Sequence, residues 1–260
     1  MGERTKYQPG TFSWVDLSTT DQEAAKAFYA GLFGWEADDR PVGDGVYYSM
    51  QHIDGKDVAA ISPQPEQQRE AGVPPLWNSY ITVDSADDAA SKAGELGANV
   101  HAPPFDVMDV GRMAVIADPQ GAFFMVWEAK TNIGAQLVNV PGALSWNELY
   151  TSDLDAAKGF YSGLFGWELN EFEQSPEPYF VIMNQGRENG GMRGLAQPGM
   201  PPHWLAYFAV EDIDASLSRA GDLGGKVLLG ATDIGNSQKA AVVKDPQGAV
   251  FALYAGRLDE

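Results

Sequence analysis

Two carboxylates in this chain each follow a tryptophan by two residues, Asp16 after Trp14 and Glu148 after Trp146. Both lie on short, mainly apolar stretches that are typical of β-strands. Burying a carboxylate there is costly unless it is paired, so each is expected either to be held by structural hydrogen bonds or to act in function. We favour the functional interpretation.

The two tryptophan–carboxylate pairs begin two copies of one sequence. Gly-Leu-Phe-Gly-Trp occurs at 31–35 and again at 163–167, and Asp-Pro-Gln-Gly-Ala occurs at 118–122 and again at 245–249. Such self-similarity over most of the length indicates a tandem duplication. The repeated aromatic residues recur at helical spacing, so we interpret them as core rather than as a cofactor site.

Each copy predicts two shorter units of one strand, one helix and further strands. In the first unit a strand at 11–17 leads to a helix that Thr20 or Asp21 can cap and that Gly34 ends. A second unit begins the same way at Trp77. The pattern βαβββ therefore occurs four times, which predicts an α+β fold.

The domain boundaries follow from the repeat. We predict a first domain over residues 1–130, a linker over 131–141 and a second domain over 142–260. Each half is long enough to bury a core of its own. The Pro-rich segment 63–75 is expected to be a surface linker between the two units of the first half.

Composition excludes several classes of partner. The formal net charge is −19, which repels nucleic acid and anionic membrane surfaces. Cysteine is absent, so disulfides and thiolate sites are excluded. No apolar run approaches the roughly 18 residues of a membrane span, and the N-terminal residues lack the apolar stretch of a secretion signal. We expect a soluble cytoplasmic protein, either a monomer or a homodimer.

No phosphate loop or dinucleotide fingerprint is present, and we predict no cofactor.

The order of these motifs carries a resemblance to a known family. A strand with an Asp seven residues after its first inward position, a helix ending Phe-Tyr-x-x-Leu-Phe-Gly-Trp, and a late Asp-Pro-x-Gly turn resemble the glyoxalase/bleomycin-resistance/extradiol-dioxygenase superfamily, also called vicinal oxygen chelate proteins. The resemblance covers nearly the whole chain. It implies tandem domains in which two βαβββ modules curl their sheet into one cup.

Within that superfamily, the chain also resembles one narrower group of proteins. The Trp-x-[Asp/Glu]-Leu start and the Asp-Pro-Gln-Gly-Ala ending are similar to a two-domain actinobacterial branch usually labelled hydroxylase or glyoxalase-like. That branch includes an antigen and accessory proteins of polyketide antibiotic pathways, which implies secondary metabolism and antibiotic biosynthesis as the setting. The superfamily spans isomerases, dioxygenases, epimerases and antibiotic-sequestering proteins, so the fold alone does not name an activity.

The metal positions of the family do not carry metal ligands here. In metal-using members His, Glu or Gln side chains hold a divalent ion. The equivalent positions are occupied by Trp14, Asn78, Met125 and Ala60 or Ile61 in the first copy, and by Trp146, Leu205, Ala252 and Met192 or Arg193 in the second. Apart from Asn78, none of these side chains suits such an ion. The three histidines, His52, His101 and His203, are too few and too scattered to rebuild two sites. The resemblance therefore implies cups without a metal.

The cups that the resemblance implies are lined by a tryptophan, a carboxylate and a tyrosine. Strand alternation places Tyr80 beside Asp16 and Tyr207 beside Glu148. Such a surface suits a planar, largely apolar ligand with a few oxygens. The expected ligand contacts are Trp14, Asn78, Arg112, Met125 and Trp127 in the first cup and Trp146, Arg193, Leu205 and Tyr254 in the second.

Several of these residues have a second interpretation. Trp14 and Trp146 could simply fill the space of the lost metal. His203 is a candidate catalytic residue, but a capping or solvated histidine at a strand start fits it better. Arg112, expected on a loop over the first cup, either clamps an anionic group or is a solvated loop charge.

Three classes of function remain open. The first is a metal-independent protein that binds a hydrophobic, aromatic small molecule, as bleomycin-resistance proteins do. The second is a metal-independent enzyme of natural-product biosynthesis, an isomerase, a cyclase or an accessory to hydroxylation, in which Asp16 or Glu148 is the base and Tyr80 or Tyr207 orients a substrate oxygen. The third is a non-catalytic interaction protein, which predicts filled or collapsed cups.

Overall fold

The structure is a computed structural model that describes residues 2–43, 45–197 and 199–258. The first half contains, in chain order, β1 Phe12–Thr19, α1 Gln22–Phe33, β2 Glu36–Gly43, β3 Val46–Ile53, β4 Lys56–Pro63, α2 Glu66–Glu70, β5 Leu76–Thr82, α3 Ala86–Glu95, β6 Asn99–Val107, β7 Gly111–Ala117 and β8 Phe123–Ala129.

The second half repeats this series without a counterpart of α2. Its elements are β9 Leu144–Thr151, α4 Leu154–Phe165, β10 Glu168–Glu171, β11 Tyr179–Asn184, β12 Arg187–Gly194, β13 His203–Ala209, α5 Ile213–Asp222, β14 Lys226–Gly235, β15 Gln238–Lys244 and β16 Val250–Ala255. The predicted α+β fold of four βαβββ modules is confirmed. The short helix α2 lies in the Pro-rich segment that we expected to be only a linker. The predicted domain ends, residues 1 and 260, lie outside the described residues.

Each half forms one open, curved sheet of eight strands. The order is β2-β3-β4-β1-β5-β8-β7-β6 in the first half and β10-β11-β12-β9-β13-β16-β15-β14 in the second. The first strands of the two modules pair antiparallel, β1 with β5 and β9 with β13. Their other neighbours run parallel to them. The four central strands of each sheet therefore bring both modules to the floor of one cup.

The first helix of each half begins and ends at the same kind of residue. Asp21 and Asp153 accept hydrogen bonds from the backbone N–H groups three residues later, both at 3.0 Å. Gly34 and Gly166 end the helices with φ at 74°, a left-handed conformation that favours glycine. Thr20 is not the capping residue.

The helices pack between the two sheets, and the resulting cores are shared by both halves. Helix α1 packs on its own sheet and also contacts the second sheet, where the ring centres of Phe33 and Phe208 are 5.2 Å apart and Phe28 contacts Phe251. Residues of α4 pack in the same way with Phe124 and its neighbours in the first half. The expectation that each half buries a core of its own is wrong, because both large core clusters contain residues of both halves, with α1 and α4 packed between the sheets.

Two buried hydrogen bonds connect the repeated motifs across the halves. Tyr29 in α1 donates to Asp245 at 3.1 Å, and Tyr161 in α4 donates to Asp118 at 3.0 Å. Each aspartate also accepts backbone N–H groups of its own Asp-Pro-Gln-Gly turn. The repeated Phe-Tyr and Leu-Phe-Gly-Trp groups are thus core, as predicted. Among the described residues no helix is both long and apolar enough to cross a membrane.

Candidate ligand-binding cups

Register places the predicted site residues on the concave face of the first sheet. Trp14 lies opposite Tyr80, and Asp16 lies opposite Asn78 on β5. Tyr80 in turn lies beside Met125 on β8. Because side chains alternate along a strand, these residues share the face that the helices leave open.

Asp16 is the centre of a hydrogen-bonded cluster in this first cup. Its Oδ1 accepts from the Asn78 amide at 2.8 Å, and its Oδ2 accepts from Tyr80 at 2.7 Å and from Tyr48 at 3.0 Å. The Tyr48 hydroxyl also accepts the indole N–H of Trp14 at 2.9 Å. The structure therefore joins Trp14, Asn78 and Tyr80 to Asp16, as the sequence predicts, through a tyrosine that the prediction missed.

Burial raises the pKa of Asp16, and the hydrogen bonds from Asn78, Tyr80 and Tyr48 oppose that shift. The pKa values of Tyr48 and Tyr80 lie well above the usual range, because burial and the nearby Asp16 charge both disfavour a phenolate. Both tyrosines therefore stay protonated and donate to the carboxylate.

The second cup repeats the arrangement around Glu148. The indole N–H of Trp146 donates to the hydroxyl of Tyr179 at 3.1 Å, and Tyr207 donates to Glu148 at 3.1 Å. Hydrogen bonding and the charge of Glu148 also raise the pKa values of Tyr179 and Tyr150, although burial is the largest cause for both. The series of tryptophan, tyrosine, carboxylate and tyrosine thus occurs in both cups.

The two cups differ in the residues that surround the carboxylate. Asn78 is replaced by Leu205, so the second carboxylate loses its amide donor, and Tyr150 stands at the position of Ser18. Gly191, which pairs with Glu148, makes room for Tyr179, because an added Cβ would overlap the phenol oxygen of that tyrosine.

The remaining predicted residues fall into two groups. Arg193 and His203 lie at the rim of the second cup around Tyr150: the guanidinium lies 5.7 Å from the ring centre, and the imidazole stacks on the ring at 5.0 Å. His203 also contacts the Pro201 carbonyl at 2.9 Å, as a capping histidine would. Leu205 and Tyr254 belong to the same apolar cluster.

Arg112 is the exception, because its side chain does not reach the cup. It lies on β7, where its neighbours Ala114 and Ile116 face the helices. Its guanidinium forms two bonds to Asp87 of α3, at 2.7 and 2.9 Å, and lies 3.4 Å from Asp106. The expected anion clamp over the first cup is wrong, since the arginine is on a strand face that alternation directs away from Asp16.

Sequence reasoning missed Tyr48, Tyr150 and Tyr179. Tyr48 and Tyr179 stand on equivalent strands, so a tyrosine at this point of both copies was a usable signal. Tyr150 occurs in one copy only, and its role depends on a contact with Glu148 that only the folded chain shows.

The cups do not fit a divalent metal ion. Each offers one carboxylate beside indole, phenol, amide or aliphatic groups, with His203 and Arg193 only at the rim of the second cup, and the Asp16 oxygens already accept three hydrogen bonds. In the part of the chain that the structure describes, no group of three His, Cys, Asp or Glu side chains is placed to hold a metal. The chemistry of the side chains that line the cups, and not only their positions in the sequence, therefore does not fit a metal site.

Comparison with known proteins identifies the same architecture. A family model described as the Glyoxalase/Bleomycin resistance protein/Dioxygenase superfamily matches residues 11–126 and 143–253. CFP32 of Mycobacterium tuberculosis, named as a glyoxylase, is 45% identical over 255 residues, which is 97% of each chain. The anthracycline biosynthesis protein DnrV of Streptomyces peucetius is 35% identical over 266 residues, covering 96% of this chain and 94% of that protein.

Solved structures share the fold at low sequence identity. The Mn(II)-bound glyoxalase from Novosphingobium aromaticivorans has a TM-score of 0.67 and 17% identity, covering 95% of this chain and 82% of that one. The 2,3-dioxygenase LapB from Pseudomonas sp. KL28 has a TM-score of 0.66 and 13% identity, covering 98% and 96%. The resemblance drawn from the sequence motifs is confirmed.

Proposed function

The chain belongs to the Glyoxalase/Bleomycin resistance protein/Dioxygenase superfamily, and from that premise we propose that it binds a hydrophobic, aromatic small molecule without a metal. The proposed site is the aromatic surface around the cup carboxylate. The observation that supports it most is the series of tryptophan, tyrosine, carboxylate and tyrosine repeated in both cups.

This series suits a planar ligand with a few oxygens. The partly exposed indole of Trp146, whose N–H is bonded to a tyrosine, presents a ring face for stacking, and the carboxylate fixes the phenols beside it. Because the phenol protons are donated to the carboxylate, a hydroxyl group on the ligand can donate to the phenol oxygens, which are held in place. The relatives named for anthracycline biosynthesis favour an aromatic secondary metabolite as the ligand.

A second candidate is an enzyme in which Asp16 or Glu148 is a general base. The observation that favours it is the burial of Asp16, which raises the pKa of this carboxyl toward the range in which a base works near neutral pH. In that case Tyr80 would orient the substrate oxygen. The two candidates share one site and differ in turnover.

Titration with 1,8-dihydroxyanthraquinone tests the binding proposal. We expect saturable quenching of tryptophan fluorescence, because an indole would be in contact with the ligand. Dialysed protein should contain far less than one Zn, Fe, Ni or Mn per chain and should bind equally well after chelator treatment. A stoichiometric ion whose removal abolishes binding would contradict metal independence, and absence of saturable quenching would favour an interaction protein instead.

Turnover separates the two candidates. If Glu148 or Asp16 is a base, replacement by Gln or Asn lowers the rate of substrate conversion roughly 10²–10⁴-fold with little change in affinity. A binding protein instead loses affinity and forms no product. Mass spectrometry of the aromatic compound after incubation with the protein distinguishes the two results.

A further inference from the structure

The two cups differ in how their walls are covered. In the first cup Trp14 is 5% exposed and Trp127 is 8% exposed. The segment that joins the two halves packs over them: the Trp127 indole donates to the Asn132 carbonyl at 2.9 Å, and Ala135 and Val138 belong to the same cluster. The Tyr7 hydroxyl donates a hydrogen bond of 2.6 Å to the Ala135 carbonyl and so holds this joining segment in place. The first cup is therefore closed by the chain itself.

The second cup has a more accessible wall. Trp146 and Tyr254, the counterparts of Trp14 and Trp127, are only partly buried. Its apolar cluster consists of residues on the strands of its own sheet together with Leu195, which directly follows β12. Where the first cup has Met125, the second has Ala252, so the floor also holds a smaller side chain.

Arg193 supplies a positive charge at the rim of this second cup. It lies on β12 opposite Tyr179 on one side and Tyr150 on the other. Its guanidinium lies over the Tyr150 ring, and within the described ranges it has no carboxylate within ion-pair distance. Arg40 and Arg112, by contrast, are each paired with aspartates.

Arg219 likewise forms no ion pair within the described ranges, but its guanidinium donates to the Gly31 carbonyl, whereas Arg193 lies at the rim of a cup. The aromatic face beneath the guanidinium holds it while leaving its N–H groups available. The corresponding residue of the first cup is Ser62, which carries no charge. The charge is therefore a feature of the second cup alone.

We propose that the second cup is the ligand site and that it selects an aromatic molecule carrying an anionic oxygen, a carboxylate or an ionised phenol, which Arg193 binds. The inference rests on the proposed function and names the cup and the charge of its ligand. Glu148 fixes the orientation, because its carboxylate repels an anion at the floor. The rings lie against Trp146 and Tyr179, and the acidic group lies at the rim beside Arg193 and His203.

A pair of matched probes tests the charge selectivity. Anthraquinone-2-carboxylate carries the anionic group, and 2-(hydroxymethyl)anthraquinone has the same rings without the charge. Isothermal titration calorimetry with the full chain should show tighter binding of the carboxylate. Arg193→Gln should weaken carboxylate binding roughly 10- to 100-fold, the usual range for a hydrogen bond to a charged group, and change binding of the neutral probe little.

Arg112→Gln is the control, since it removes an arginine that is paired outside the cup. It should leave the affinity for both probes unchanged. Arg193→Lys keeps the positive charge but loses the planar guanidinium. Its affinity for the carboxylate probe should lie between that of the wild-type chain and that of Arg193→Gln, so the proposal stays testable if the Gln variant does not fold. Equal loss for both probes in Arg193→Gln, or no loss for either, would overturn the charge assignment.

A third variant tests which cup binds. Ala252→Met places in the second cup the residue that the first cup has, and it should abolish most binding of both probes while the melting temperature shows a folded chain. Retained affinity would overturn the choice of the second cup but leave the proposed function standing. If neither probe binds the wild-type chain saturably, the proposed function fails and this inference fails with it.

Discussion

At the residue scale, the cup carboxylates are held by donors that remain protonated. Asp16 accepts from one amide and two phenols, while Glu148 accepts from tyrosines and has no amide in place of Asn78. Burial of the first carboxylate raises its pKa despite these bonds. Ionising Asp16 in the folded chain therefore costs more than in the unfolded chain, and this difference links stability to pH.

Asp16→Asn tests this linkage. The pKa of Asp16 is higher in the folded chain, so the native state binds the proton more tightly and the wild type loses stability as pH rises from the unfolded pKa through the folded one. Relative to the wild type, the variant should gain up to about 1.4 kcal/mol of stability per pH unit across that range and then level off. Urea denaturation from pH 4 to 8 measures the difference, and a difference independent of pH would contradict the prediction.

At the element scale, the central strands decide which side chains meet. The antiparallel pairing of β9 with β13 and the parallel pairing of β9 with β12 bring Glu148, Tyr207 and Gly191 together. The floor of the second cup has space for Tyr179 because the residue beside Glu148 on β12 has no side chain. The equivalent strand of the first half has Ala60 in this position.

Gly191→Ala should therefore disturb the second cup. The new methyl group overlaps the Tyr179 hydroxyl, so this ring must move and its hydrogen bond with Trp146 must break. We expect a loss of about 1–3 kcal/mol of stability, as for other overpacked sites, together with weaker ligand binding. Gly194→Ala is the matched control on the same strand, because an added Cβ meets nothing within 4 Å. Thermal denaturation of both variants makes the comparison, and equal melting temperatures would refute the steric argument.

At the scale of the whole molecule, α1 and α4 lie between the two sheets and contact residues of both halves. Residues of α1 pack with Phe208 and Phe251 of the second sheet, and residues of α4 pack with Phe124 of the first. Tyr29 and Tyr161 each hydrogen-bond to the aspartate of the other half's turn. Since neither core is complete without both halves, the two sheets should lose their structure together.

Tyr161→Phe tests this coupling. It removes the bond to Asp118 and leaves the indole N–H of Trp204 without its acceptor, so we expect a loss of about 1–3 kcal/mol. Scanning calorimetry should show one transition in the wild type and one shifted transition in the variant. Tyr47→Phe is the control, because that side chain is 45% exposed. Two resolved transitions, with only one moved by Tyr161→Phe, would show that the halves unfold independently.

The sequence by itself determined the repeat, the order of the modules and several of the residues that face each cup. Strand alternation and helix periodicity are local properties, so Trp14, Asp16 and Tyr80 could be placed on one face, and the motifs identified the family. Gly34 and Asp21 likewise marked helix ends, because their roles depend only on neighbouring backbone groups.

Only the tertiary structure decided which elements from distant parts of the chain come together. The shared cores depend on α1 and α4 contacting the other half as well as their own sheets, and the closure of the first cup depends on Ala135 and Val138 packing against Trp14. The pairing of Arg112 with Asp87 depends on the face to which β7 directs the arginine. These contacts join residues far apart in sequence through side-chain packing, and no local pattern of residue types records which partner each side chain meets.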